Sequence, residues 1–240
     1  MDKQEKHPRV LIIIPAYNEG EHLLQVVTSI RQHCPGWDYL VVNDGSADDT
    51  ENLCMRHGIC AVHLPINLGI GGAVQTGYRY AWKNHYDIAV QMDGDGQHDA
   101  AFLEKILLPL ISQEADIVIG SRFISREGFQ SSFLRRAGIR FLSLLIKLCT
   151  GIRIYDVTSG FRAVNRKFIR IYAEHYPTDY PEPEAIISAV MHQGRIKEIP
   201  VIMRQRESGT SSIHGLRSAY YMVKVSLSIL VCRITFGIRR

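Results

Sequence analysis

The chain has 240 residues and a formal net charge of +4. Its 46% hydrophobic content supports a packed core and excludes extended disorder, and its length suits one α/β domain or two small ones. The charge is split: residues 1–120 carry 8 basic against 16 acidic side chains, a net −8, and residues 121–240 carry 20 against 8, a net +12. An acidic half joined to a basic half points to metal chemistry on one side and an anion on the other.

Met1 to Arg9 is polar and charged, without the apolar core of a signal peptide. The five cysteines (Cys34, Cys54, Cys60, Cys149, Cys232) are scattered and contain no C-x-x-C pair, so they read as reduced thiols of a cytoplasmic protein. Val10–Ile14 is an all-apolar run, as expected of a strand covered on both faces. A helix is predicted from about Glu21 to Arg31 and a second strand over Tyr39–Val42, ending in Asn43-Asp44-Gly45-Ser46. Ser46 is the expected N-cap of the next helix, with Asp48 and Asp49 in its first turn. Ala61–Leu64, Ile88–Met92 and Ile117–Ile119 are further strands, and Ala73–Lys83 a further helix. Repeated βα units of this length predict a mostly parallel central sheet with helices on both faces.

After Gly120 the pattern changes. Residues 121–132 read as a polar loop containing Arg122 and Arg126. Phe133 to Thr150 reads as a helix with Arg136, Arg140 and Lys147 on one face, and with Ile139, Phe141, Leu142, Leu145, Ile146 and Leu148 forming a broad apolar surface. Such a helix either lies in a membrane interface or packs on the sheet. The tail from Ile213 to Phe236 is apolar but broken by Arg217, Lys224 and Arg233, so an interfacial or partner-docking helix is expected in place of a spanning one.

Ligands of such sheets bind outside the carboxyl ends of the strands, and there the polar segments fall: Pro15-Ala16-Tyr17-Asn18-Glu19, Asn43-Asp44-Gly45-Ser46, Asn67-Leu68-Gly69 and Asp93-Gly94-Asp95-Gly96-Gln97. Two carboxylates on one tight turn repel each other unless a divalent cation holds them, and hard oxygen ligands sharing their ion with a diphosphate suit Mg²⁺ or Mn²⁺. A solvated Asp/Gly turn is the alternative. Gly69-Ile70-Gly71-Gly72 fails as a dinucleotide fingerprint, because Val74 occupies the third glycine position and the segment follows the third strand. No Walker lysine and no G-x-S-x-G elbow occurs.

Ile12-Ile13-Ile14-Pro15-Ala16-Tyr17-Asn18-Glu19, Val41-Val42-Asn43-Asp44-Gly45-Ser46, Asn67-Leu68-Gly69 and Asp93-x-Asp95-Gly96-Gln97-His98 follow one another in that order. Gly120-Ser121-Arg122-Phe123, Thr158-Ser159-Gly160-Phe161-Arg162 and Arg206-x-x-Gly209-x-Ser211 come after them. As an ordered set over residues 8 to 212 they resemble glycosyltransferase family 2 with the GT-A fold, and within it the dolichyl-phosphate mannose synthase-like polyprenyl-phosphate glycosyltransferases.

The resemblance implies a GT-A domain over residues 1–212, with a nucleotide-sugar half (1–120), an acceptor half (121–212) and a C-terminal apolar and basic helix (213–240). It implies that Pro15, Ala16, Tyr17, Asn18, Glu19, Asp44, Gly45 and Ser46 surround the base and ribose, with Asn67, Gly69 and Gly72 lining the same pocket. Asp93 and Gly94 would lie by the ribose and metal shell, and Asp95 and Gln97 would ligate Mg²⁺ or Mn²⁺. Arg122 with Arg135 or Arg136 would hold an acceptor phosphate, and Arg206 would face the donor diphosphate. Ser212 stands where relatives often carry Lys, which leaves open how the diphosphate is finally neutralised.

The implied reaction is inverting transfer from a UDP- or GDP-sugar to a polyprenyl phosphate at the inner face of the membrane, with a UDP-sugar and undecaprenyl phosphate expected if the source is bacterial. A small membrane-protein partner or a homo-oligomer is compatible with the tail, and no nucleic-acid partner is expected. Two other functions stay open: transfer to a hydroxyl of a growing glycan, with Glu184 as base, and a non-catalytic nucleotide-sugar-binding subunit.

Overall fold

A computed structural model describes residues 8–125, 127, 133–179, 181–204 and 216–238. Seven strands form one sheet: β1 (Val10–Ala16), β2 (Asp38–Asn43), β3 (Ala61–His63), β4 (Ile88–Gln91), β5 (Ile117–Ser121), β6 (Arg162–Asn165) and β7 (Ile196–Pro200), in the order β3-β2-β1-β4-β6-β5-β7. All pairings are parallel except those of β6, which runs antiparallel to β4 and β5. The acidic and basic halves therefore share one sheet, since β6 and β7 come from the second.

The all-apolar first strand still obeys the period of two. Leu11 and Ile13 face one hydrophobic cluster, and Val10, Ile12 and Ile14 the other. The first cluster takes α3 (Gly69–Lys83), α6 (Phe133–Thr150), α7 (Arg166–Glu174), α8 (Pro181–Met191) and α9 (Leu216–Ile238). The second takes α1 (Gly20–His33), α2 (Thr50–Arg56) and α4 (Leu103–Ile111). Chain order runs outward from β1 to β3 and then returns to β4 on the other side of β1. Such a reversal opens a crevice at the carboxyl ends of the two flanking strands, here β1 and β4.

Three local expectations are corrected. Ser46 caps no helix: α2 begins at Thr50 with Asp49 in the cap position, and Ser46 Oγ accepts the Asn18 N–H at 2.9 Å. The glycines after Asn67 lie inside α3, whose first residue is Gly69, so the helix starts four residues earlier than the apolar pattern indicated. The segment after Gly120 is not loop throughout, because Arg122–Ser125 forms the short helix α5. Helix α6 has the predicted bounds, yet its apolar residues divide: Ile139, Leu142 and Ile146 are buried in the first cluster, where α6 packs on α8 and α9, while Phe141 and Leu148 are exposed.

Candidate active site

The loops leaving β1, β2 and β3 are laced together at the crevice. Asn18, in left-handed geometry at φ 55°, accepts the Ala47 N–H on Oδ1 at 2.8 Å. Asn43 Oδ1 accepts the Ser46 N–H at 3.1 Å. Gly45 has φ +66°, and a Cβ on it would lie 2.8 Å from Asn67 N, so only glycine fits that turn. Asp44 is buried; its N–H donates to Ala16 O at 2.9 Å, and its Oδ1 accepts the Leu68 N–H at 2.7 Å. The Asp44 carboxylate thus fixes the start of α3, while Asn67 holds the Gly69 N–H. Pro15 and Ala16 are buried in the strand end, and Tyr17 is half exposed at its mouth. Asp48 accepts the Thr50 and Gly20 N–H groups. Burial alone would raise its carboxyl; the Thr50 and Gly20 bonds outweigh that and hold it below the usual range.

The Asp93 turn sits against this frame, with Gly94 packed on Pro15 O. Asp95 Oδ1 accepts the Gln97 N–H at 3.0 Å. The Asp93 N–H donates to His98 Nδ1 at 3.0 Å. With Nδ1 accepting, the neutral ring carries its proton on Nε2, which lies 3.7 Å from Asp93 Oδ2. His98 is buried and stacked on Phe161 at 5.0 Å. Desolvation pushes the Asp93 carboxyl up; His98 opposes this and Asp95 adds to it. Among the described residues no cluster of three His, Cys, Asp or Glu side chains gathers. The turn therefore offers two carboxylates and one amide, a donor set that suits a hard divalent ion taking its remaining oxygens from a diphosphate and water. The residues fit Mg²⁺ or Mn²⁺ on those terms.

Opposite this turn stands Arg122, at the end of β5. Its Nε and Nη2 each donate to Asp156 at 2.7 Å, its backbone N–H donates to the same carboxylate at 3.1 Å, and Nη2 also reaches Thr158 Oγ1 at 3.1 Å. Asp156 is fully buried. Burial works against the Arg122 charge, and Asp156 more than restores it, with Asp93 contributing. The Tyr155 and Asp156 N–H groups both donate to Glu198 of β7 at 2.8 Å. The partly buried Glu198 and the buried Asp156 and Arg122 form a ladder from the sheet edge to the crevice.

Beyond Arg122 lies a groove of about 690 Å³ lined by Phe123, Arg136, Ile139, Arg140, Ser143, Leu144, Lys147, Arg153 and Tyr155. Among the described residues four cations and no carboxylate line it. The predicted common face of Arg136, Arg140 and Lys147 is observed; Arg135 sits one position away and does not line the groove. Arg206 lies outside the described residues, as do Gly209, Ser211 and Ser212. The chain just before them is tied to the acidic turn, since the Arg204 N–H donates to Gln97 O at 2.9 Å and its guanidinium pairs with Asp99 at 2.9 Å.

The sequence model of glycosyl transferase family 2 matches residues 11–172. The chain belongs to this family. It is 28% identical over 228 residues to the polyprenol monophosphomannose synthase of Mycolicibacterium smegmatis, covering 91% of this chain and 86% of that one. It is 31% identical over 219 residues to the undecaprenyl-phosphate mannosyltransferase of Micrococcus luteus, covering 86% and 88%. Among solved structures it matches glucosyl-3-phosphoglycerate synthase of Mycobacterium tuberculosis in complex with Mn²⁺, UDP-glucose and phosphoglyceric acid, with a TM-score of 0.70 at 20% identity, over 95% of this chain and 80% of that one. The fold of this glycosyltransferase is accordingly GT-A, a mostly parallel central sheet with one reversed strand.

Several groups around the site carried no mark in the motifs. Asp156 and Glu198 look like ordinary surface acids in sequence; the fold sets the 155–156 turn on Glu198 of β7, which buries Asp156 fully and Glu198 in part. Arg162, at the start of β6, is buried and donates to the carbonyls of Ser159, Val157 and Glu182 at 2.7, 3.1 and 2.7 Å. Its adjacency to the Thr158-Ser159-Gly160 motif was the available signal. Of the two acids opening α8, Glu182 lies in the field of Arg162, Asp93 and Arg122; burial raises its carboxyl and Arg162 opposes that. Sequence reading had singled out Glu184 instead.

Proposed function

We propose that this glycosyltransferase moves a sugar, with inversion, from a nucleotide-diphosphate sugar to a polyprenyl phosphate. The donor is a UDP-sugar, and the acceptor is undecaprenyl phosphate if the source is bacterial. The observation that carries the reading is an acidic turn on one side of Arg122 and, on the other, a groove whose charged lining among the described residues is cationic. Two relatives, a polyprenol monophosphomannose synthase and an undecaprenyl-phosphate mannosyltransferase, support the acceptor class. The UDP-glucose and Mn²⁺ of the structural neighbour support the donor and the ion.

In the proposed reaction an oxygen of the acceptor phosphate attacks the anomeric carbon as the bond to the donor diphosphate breaks, and the electron pair leaves with the diphosphate. The acceptor oxygen is already anionic near neutral pH, so the protein's task is to hold two anions in line. Asp44, Gly45, Ser46 and the 15–19 segment shape the nucleotide pocket. Arg136 and its groove neighbours offset acceptor charge, because guanidinium groups grip phosphate oxygens in pairs. Arg122, committed to Asp156, sets the distance between turn and groove. Asp95 and Gln97 would hold the divalent ion, with Asp93 beside them; when bound, the ion neutralises charge on the leaving diphosphate. A lipid acceptor places the protein on the inner membrane face, where nucleotide sugars meet lipid.

The test is transfer of label from radiolabelled UDP-sugars to polyprenyl phosphate with Mg²⁺ or Mn²⁺, read as organic-extractable counts. Counts should vanish with a chelator and in Asp95→Ala. Donor binding without transfer to any lipid phosphate would overturn the proposal.

A further inference from the structure

Behind the acidic turn, at the end of β4, lies a polar group with no part in the proposed reaction. Gln91 is fully buried, and its Nε2 has no hydrogen-bond partner among the described residues. An N–H buried in this way gives up its water and gains nothing in return, so native folds keep few of them.

The surroundings fix which way the amide points. Residues two apart on a strand face the same side, so Gln91 continues the face of Ala89, toward the first cluster. Met92 faces the second cluster, and its N–H still donates to Ile13 O at 3.0 Å. The alternation therefore carries on, and Asp93 leaves the strand on the Gln91 side. Tyr78, Tyr172 and Tyr176 pack ring on ring with centroids 5.3, 5.3 and 5.1 Å apart. From this cluster the Tyr176 O–H donates to Gln91 Oε1 at 3.4 Å. With its oxygen held there, the amide turns its NH2 away from the tyrosine. The reverse orientation would set an acceptor oxygen toward a carboxylate, which can only accept when ionised.

Asp93 feels this amide. Burial raises its carboxyl, and Gln91 is among the groups that oppose the rise. Across the ladder Gln91 pairs with Arg162, whose guanidinium is engaged with the carbonyls of Ser159, Val157 and Glu182. The cation beside Asp93 is thus committed to backbone, while the neutral amide keeps a donor in hand.

We infer that Gln91 is a positioning residue of the donor site: its spare N–H closes on the Asp93 carboxylate when a divalent ion and a diphosphate occupy the acidic turn. Carboxylates around an ion are themselves held by hydrogen bonds from behind, and the tyrosine cluster keeps this one aimed. The inference rests on the donor and ion of the proposed function and names the residue that orders their turn.

The test pairs two measurements on the full chain: Mn²⁺ binding in the presence of UDP, read from the electron paramagnetic resonance signal of free Mn²⁺, and urea unfolding of the metal-free protein. Gln91→Met removes the N–H and keeps the length. It should weaken Mn²⁺ binding by about 10- to 100-fold, while the metal-free variant unfolds at no lower urea concentration than the parent. Gln91→Met/Tyr176→Phe removes both partners of the tyrosine bond, so no hydroxyl is stranded, and it should show the same loss of Mn²⁺ affinity. Tyr176→Phe alone, which keeps the amide, should lose less. A glutamine that serves packing alone gives the opposite result, unchanged Mn²⁺ affinity with a lowered urea midpoint, and that would overturn the inference while the parent's own Mn²⁺ binding left the donor reading standing. A parent that binds no Mn²⁺ with UDP would overturn both.

Discussion

Gly160 lies so close to Asp93 that a Cβ on it would come within 2.7 Å of Oδ2 and 2.9 Å of Oδ1. The loop between Asp156 and β6 thus uses a missing side chain to admit the carboxylate of the acidic turn. Gly160→Ala should displace Asp93. Because a misplacement of about 1 Å at a reacting centre costs on the order of 100-fold, kcat should fall by about that factor. Steady-state kinetics with saturating donor checks this; unchanged kcat would show that the contact is incidental.

The Arg122–Asp156 fork is a buried ion pair, and removing one partner strands the other. Asp156→Leu or Arg122→Met alone should each destabilise the fold by about 3–5 kcal/mol in urea unfolding. The double variant should lose clearly less than the sum of the two singles, which defines a coupling energy. Additive losses would mean that the two groups act independently.

Glu182 and Glu184 open the same helix with different surroundings. A phosphate acceptor needs no general base, so Glu184→Gln should retain transfer to within about twofold. A loss of about 100-fold or more, the usual worth of a positioned base, would instead favour a hydroxyl acceptor. Glu182→Gln should lower kcat, because it removes a partly buried carboxylate from the field of Arg162 and Asp93. Rates of purified variants on one polyprenyl phosphate decide both.

At the opposite end of the sheet, Asp116 accepts the Arg195 N–H, Nε and Nη2 at 2.9, 3.1 and 3.1 Å and Asn165 Nδ2 at 2.9 Å. Arg195 holds its carboxyl below the ordinary range, with burial opposing. A depressed folded value means the stabilisation is complete above the unfolded pKa and is lost as pH falls through the folded one. Asp116→Asn should therefore cost about 2 kcal/mol at neutral pH. The gap to the parent should close as the pH falls from the ordinary carboxylate range through the lowered folded value. Urea midpoints across pH measure it; a constant gap would remove the charge from the explanation.

The sequence by itself determined the strand ends and what they carry. Apolar runs ending in small and acidic residues report burial and turn geometry locally, so the parallel sheet, the Asp93 turn, the polar strand ends and the cationic face of α6 were all legible. Its apolar signal ran out where one residue type serves two purposes: Phe141 and Ile139 look alike in sequence, and only packing against α8 and α9 decides which is buried. Ser46 could be read as a cap until its hydroxyl was seen to accept the Asn18 N–H across 28 residues. The tertiary structure alone decided the reversed β6, the ladder from Glu198 through Asp156 to Arg122, and the seat of Asp93 on Gly160. Each depends on groups far apart in the chain, and a buried carboxylate acquires its role from the charge that folding places beside it.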